Sequence, residues 1–117
     1  MGIKKQKSLL PTLKEKKRYV VFEAISDIEL GLGCVRDEIM KKFSLLLGNL
    51  GSAKAGLIFM DDWKNNKGIV RVNNRYVDYV KACFCLINQV NGTNAIIRSI
   101  GVSGILNKAR NKFMEVE

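Results

Sequence analysis

Histidine is absent from all 117 residues, which removes Ser-His and Cys-His nucleophile chemistry and the commonest zinc ligand sets. Proline occurs once, at Pro11, and ten glycines complete a composition with no long low-complexity tract, so the chain is expected to fold. Apolar runs are short. None approaches the roughly 18 residues of a spanning helix, and residues 1–18 lack the uninterrupted apolar block of a secretory leader. Gly2 is followed by Gln6 where a myristoylation pattern wants Ser or Thr. These absences together predict a cytoplasmic protein with no membrane partner. Cysteine is scarce and odd in number: Cys34, Cys83 and Cys85 have no disulfide-like spacing, which fits a reducing compartment. Cys83 and Cys85 fall in a helical pattern, about 200° apart around the axis, and so read as packing residues and not as a metal pair.

What the chain does have is positive charge. Twenty Lys and Arg against eleven Asp and Glu leave +9 and a pI near 9.7, the footprint of a protein that meets a polyanion, with nucleic acid first in line. The bland alternative is a basic surface kept for solubility. The charge is uneven: residues 1–18 carry Lys4, Lys5, Lys7, Lys14, Lys16, Lys17 and Arg18 against Glu15 alone. Residues 1–17 therefore read as a basic N-terminal arm that orders on a partner, and 18–117 as a single domain of ordinary size. Asp61-Asp62, the adjacent carboxylate pair, precedes a turn and reads as a solvated hairpin end before it reads as a Mg²⁺ ligand set.

Along the chain, "RYVVFEAIS" is rich in β-branched and aromatic residues and predicts a first strand. Val35, Ile39, Phe43, Leu46 and Leu50 then repeat at helical spacing, with glycine stop signals at the end of "LLLGNLG". Two strands follow, Ala55 to Trp63 and Gly68 to Val72, joined by "KNNK", whose asparagines suit a turn. Tyr76, Val80, Cys83, Ile87 and Val90 mark a second helix closed by Asn91-Gly92, with Asn73 or Asn74 as N-cap. Thr93 to Val102 is a fourth strand. A short last helix carries Ile105, Ala109 and Phe113 on one side and Lys108, Arg110 and Lys112 on the other.

The order β-α-β-β-α-β plus a C-terminal helix is an α+β, split-βαβ sandwich of ferredoxin-like or RNA-recognition-motif-like type, with a four-stranded antiparallel sheet. Two helices cover one face, and the other face is expected to be open. Alternation directs Val70 and Val72, and Ala95 and Ile97, to the helices, leaving Ile69, Arg71, Ile96, Arg98 and Ile100 on the open face. The first strand is ambiguous between Val20, Phe22, Ala24 and Tyr19, Val21, Glu23. An RNA-recognition motif would put rings on this face. Here Ile69 and Val70 stand where the rings belong, so the face lacks the stacking worth ~1–3 kcal/mol per base. It reads either as a protein interface, isoleucine at the centre and arginine at the rim, which the pattern favours, or as a backbone-binding surface for structured RNA.

The ordered set "LLPTLKEKKRYVVFEAIS", "LLLGNLGSAKAGL", "GIVRVNNRYVDYVKACFCLI" and "RSIGVSGILNKAR" resembles the archaeal ribonuclease P protein component 2 family, which has a eukaryotic counterpart shared with ribonuclease MRP. The resemblance runs from about Ser8 to Arg110. It implies a non-catalytic protein subunit of an RNA enzyme that removes the 5′ leader from precursor tRNA. The RNA performs the hydrolysis with Mg²⁺, and the protein itself holds no cofactor. Its implied partners are the ribonuclease P RNA, the barrel-type protein component 3 and, within the particle, precursor tRNA, with self-association as a further possibility. Carried over by position, the RNA-binding residues are Lys14, Lys16, Lys17 and Arg18 in the basic leader, Asn73 and Arg75 after the third strand (where the family's segment also matches Arg71), and Lys108, Arg110 and Lys112 in the last helix. The competing reading is a small-ligand-binding regulatory domain on the same scaffold, against which the basic arm counts. An acylphosphatase-like enzyme needs an anion loop after the first strand, and "SDIELGLG" is acidic there.

Overall fold

A computed structural model describes residues 16–114. The chain runs β1 (Lys17–Ile25), α1 (Leu32–Ala55), β2 (Ile58–Lys64), β3 (Lys67–Asn73), a 3₁₀ turn (Asn74–Tyr76), α2 (Val77–Cys85), β4 (Gln89–Val90), β5 (Thr93–Asn94), β6 (Ile96–Ser103) and α3 (Leu106–Ala109), which continues as a π turn over Arg110–Met114. β2, β3, β1 and β6 form one antiparallel sheet in that order. This is the split-βαβ, ferredoxin-like arrangement, with a small β4-β5 hairpin added.

The ambiguity of β1 is resolved by its neighbours. Val20, Phe22 and Ala24 join Val70, Val72 and Ile97 beneath α1 and α2, where Val35, Ile39, Phe43, Val80, Cys83 and Phe84 complete the main core. Phe22 is at its centre, with ring centroids 5.6 Å from Phe84 and 6.1 Å from Phe59. The Cys83 thiol donates to the carbonyl of Ile39, and burial pushes its pKa up to about 11, as expected of a packing thiol. Cys85, by contrast, is exposed.

The second face of the sheet is not open. Val21 and Ile69 are fully buried there beneath Ala109 and Met114, with Phe113, Leu106, Met60, Ile100 and Tyr19 packed around them. The predicted phase of β3 and β6 is right. Ile69 is nevertheless an internal residue and cannot touch a partner, because the chain's own C-terminal segment lies on it. That segment is tied down at Arg110, whose guanidinium makes a bidentate pair with Asp62 at 2.9 and 3.1 Å. Asp62 faces it by alternation along β2, which puts Met60 on this side of the sheet and Phe59 and Trp63 on the helix side. An irregularity between Val21 and Phe22 leaves Ile100 without a direct partner on β1 and brings Gly101 under the Phe113 ring.

Three elements end elsewhere than the periodicity predicts. α1 continues past Gly48, where a positive φ of 74° kinks it, to Ala55 and a left-handed Gly56. The kink breaks the predicted seam: Leu46 and Leu50 are exposed and Leu47 packs on the core instead. α2 stops at Cys85, since Asn91 and Gly92, both at positive φ, form a two-residue hairpin turn and not a helix cap. The last helix turns Ile105 into solvent and buries Ala109 and Met114. Asn65 and Asn66 do form the expected tight turn, at φ of 54° and 61°.

Closure of the second face makes Gly101 irreplaceable by a larger residue. A Cβ there would fall on the Phe113 ring, so Gly101→Ala should push the C-terminal segment off the sheet and cost about 1–3 kcal/mol, read as a lower urea midpoint. An unchanged midpoint would show that Phe113 can yield freely.

Candidate nucleic-acid interface at one end of the sheet

Antiparallel pairing places the start of β1, the end of β3 and the end of β6 at the same end of the sheet, since Lys17 is opposite Asn73 and Tyr19 opposite Ser103. α1 also finishes there. Asn73, only 7% exposed, is the tie: its side-chain oxygen accepts from the Lys17 ammonium, and its amide nitrogen donates to the carbonyl of Lys54. The backbone N–H of Asn74 donates to the carbonyl of Lys16 at 2.7 Å. The 3₁₀ turn that presents Arg75 is thereby fixed to the first residues of β1.

The result is a convergence of cations from segments far apart in sequence. Lys16, Lys54 and Arg75 are exposed, while Lys17, Arg18 and Arg71 are half-buried. Arg18 bonds the carbonyl of Lys17 at 3.1 Å, and its guanidinium also borders Gly104 in the β6-α3 loop, where a Cβ would sit 3.4 Å from Nη1. Arg71, between Tyr19 and Ile58 in register, has a buried Nε with no hydrogen-bond partner among the described residues. Lysine and arginine side chains gathered in this way are charge-assisted donors that can neutralise and position phosphates.

The predicted residues divide accordingly. The structure brings Lys16, Lys17, Arg18, Asn73 and Arg75 together, and Lys14 lies outside the described residues. Asn73 acts inside the chain, as the tie itself. Lys108 and Lys112 are exposed on the C-terminal segment, Lys112 with its ammonium 5.6 Å from the Phe113 ring centre. Arg110 is engaged with Asp62 and holds that segment to β2. Lys54 was not singled out from the sequence. Its signal was Gly56, the true helix stop, which the earlier glycines at 48 and 51 obscured.

At the other end of the sheet the character changes. Ile25 pairs with Ile96, and the two are 46% and 60% exposed. Beside them Arg98 is neutralised by Glu23 at 2.9 Å. An open cleft of about 410 Å³ lies between Ile25, Ser26, Asp27, Asn88, Asn94 and Ile96, and its lining carries a carboxylate and no cation. No helix among the described residues is long and apolar enough to cross a membrane.

Comparisons with known proteins agree with one another. The profile of the Rpp14/Pop5 family matches residues 18–114. Ribonuclease P protein component 2 of Pyrococcus horikoshii is 39% identical over 96% of this chain and 94% of its own length. The protein of the same name from Methanosarcina mazei is 32% identical over 95% of each chain. A chain in the cryo-EM structure of yeast ribonuclease MRP superposes with a TM-score of 0.63 at 12% identity, covering 87% of this chain and 91% of that one, a likeness of fold.

If Asn73 is the tie, Asn73→Ala should destabilise the protein by about 1–3 kcal/mol, because it leaves the Lys54 carbonyl and the Lys17 ammonium without their partner. Chemical denaturation checks this; a loss below a few tenths would show that the basic end is held together by other means.

Proposed function

The chain belongs to the Rpp14/Pop5 family, and from that membership and the basic end of its sheet we propose that it is a protein subunit of ribonuclease P, or of the related ribonuclease MRP particle. It binds the catalytic RNA chiefly through phosphates, using Lys16, Lys17, Arg18, Lys54, Arg71 and Arg75, with Lys108, Lys112 and the N-terminal lysines extending the contact. The RNA, with Mg²⁺, removes the 5′ leader of precursor tRNA. The protein supplies fixed positive charge where RNA strands crowd together, so that the RNA reaches its active fold at lower Mg²⁺. It works in the cytoplasm. Ile96 and Arg98, far from the cationic end, belong to the surface offered to a protein partner, for which component 3 is the candidate.

One observation carries this reading. Cations separated by more than fifty residues in sequence are gathered at a single sheet end by antiparallel register and the Asn73 tie, in a chain whose relatives along nearly its whole length are ribonuclease P proteins. A basic surface kept only for solubility has no need of such convergence. The small-ligand reading finds less support: the cleft near Ile25 is wide and lacks a convergent donor set for an anionic metabolite.

The test is reconstitution. The purified protein should cleave nothing by itself and should raise precursor-tRNA cleavage when added to the RNA and component 3 at low Mg²⁺; equal activity without it would end the proposal. Binding to the RNA should weaken steeply with salt, and Lys16→Ala, Arg18→Ala and Arg75→Ala should each reduce the slope by about one. Slopes unchanged by all three would move the site elsewhere.

A further inference from the structure

Tyr79 is the one exposed aromatic side chain among the described residues, at 46%. Its ring is not loose. It lies 5.7 Å from the Tyr76 ring, centre to centre, at an interplanar angle of 41°, and Tyr76 is itself packed against the main core. The pair stands where the 3₁₀ turn enters α2, immediately after the segment that Asn73 and Asn74 pin to β1. Arg75, exposed in the 3₁₀ turn, and Tyr79, exposed in the first turn of α2, are four residues apart, so the guanidinium and the ring are both presented at this entry to the helix.

We propose that Tyr79, braced by Tyr76, is a stacking platform for an unpaired base of the RNA whose phosphates Arg75 and the neighbouring lysines hold. The inference rests on the RNA-binding reading above and adds to it a kind of contact: single-stranded or bulged nucleotide, and not duplex alone. A single strand is gripped by a cationic track with a ring beside it, because every base has a face to stack and the backbone supplies the charge. Proteins with the RNA-recognition arrangement carry such rings on the sheet. Here Val21 and Ile69 occupy that position beneath the C-terminal segment, and the exposed ring is at the rim, next to the cations. Asp78, exposed in the first turn of α2, disfavours phosphate beside it, so the charge that holds the backbone comes from Arg75 and the lysines.

Filter binding of ribonuclease P RNA across a salt series, with wild type and the Phe, Leu and Ala variants of Tyr79, separates the possibilities. Tyr79→Phe should bind as wild type does. Tyr79→Leu and Tyr79→Ala should bind about tenfold more weakly with the same salt slope, since stacking releases no counterions. Thermal unfolding should be unchanged for Tyr79→Phe and lowered only modestly, and alike, for Tyr79→Leu and Tyr79→Ala, which lose the contact with the Tyr76 ring. The platform is overturned if Tyr79→Ala binds the RNA like wild type, if Tyr79→Leu is as good as the parent, or if Tyr79→Ala binds RNA normally but no longer retains component 3, which would make the ring a protein contact. A wild-type chain without salt-dependent RNA binding is a different result, and would overturn the functional reading together with this one.

Discussion

Val21 and Ile69 sit at the middle of the sheet's second face, and their burial constrains the rest of the molecule. Covering a β-branched side chain of this size stabilises the fold by about 1.5–3 kcal/mol, so a chain with two of them facing outward must find a lid. The lid is the C-terminal segment: Ala109 and Met114 lie on the two residues, Phe113 fills the space above Gly101, and Arg110 clamps the segment to Asp62. A half-exposed charged pair contributes little by itself, but its bidentate geometry fixes where the segment lies against β2. With both faces of the sheet covered, the surfaces left for binding are its ends and edges.

The cationic end follows from pairing geometry. Antiparallel strands bring the first residues of β1 beside the last of β3 and β6, and the sequence places basic residues at those points. Packing so many like charges together is unfavourable until an anion arrives, and Asn73, an uncharged residue, holds the elements in place meanwhile by its bonds to the Lys17 ammonium and the Lys54 carbonyl. Arg71, half-buried on β3 between Tyr19 and Ile58, adds its charge to the same end. The tie and the charge together make a preorganised surface, which lowers the ordering cost of binding.

Much of this was legible in the sequence. The order of the main elements, the phases of β3 and β6 and most of the helix-facing core follow from period-2 and helical repeats, whereas the phase of β1 needed its neighbours, and the missing rings of β3 already argued against base stacking on the sheet. Three features escaped. Ile69 read as exposed because alternation reports two faces and cannot say that a distant helix returns to cover one. The limits of α1 and α2 were misplaced because glycine and Asn-Gly stop a helix, kink it or turn a hairpin, and only the tertiary setting decides between them, as Gly48 and Asn91-Gly92 show. The roles of Asn73 and Arg110 were hidden for the same reason. A polar residue next to cations resembles a ligand contact until its own partners, Lys17, Lys54 and Asp62, are seen.

The central claim is that a closed sheet face displaces RNA binding to the sheet's end. Backbone hydrogen exchange of the protein with and without ribonuclease P RNA tests it most directly. The account predicts new protection at Lys16–Tyr19, at Arg71–Tyr79 and in the β6-α3 loop near Gly104, with no change around Ile25, Ile96 and Arg98. Protection spread along β1 and β3 at Val21 and Ile69, accompanied by faster exchange in the C-terminal segment, would contradict it by showing that the lid leaves and the face itself takes the RNA.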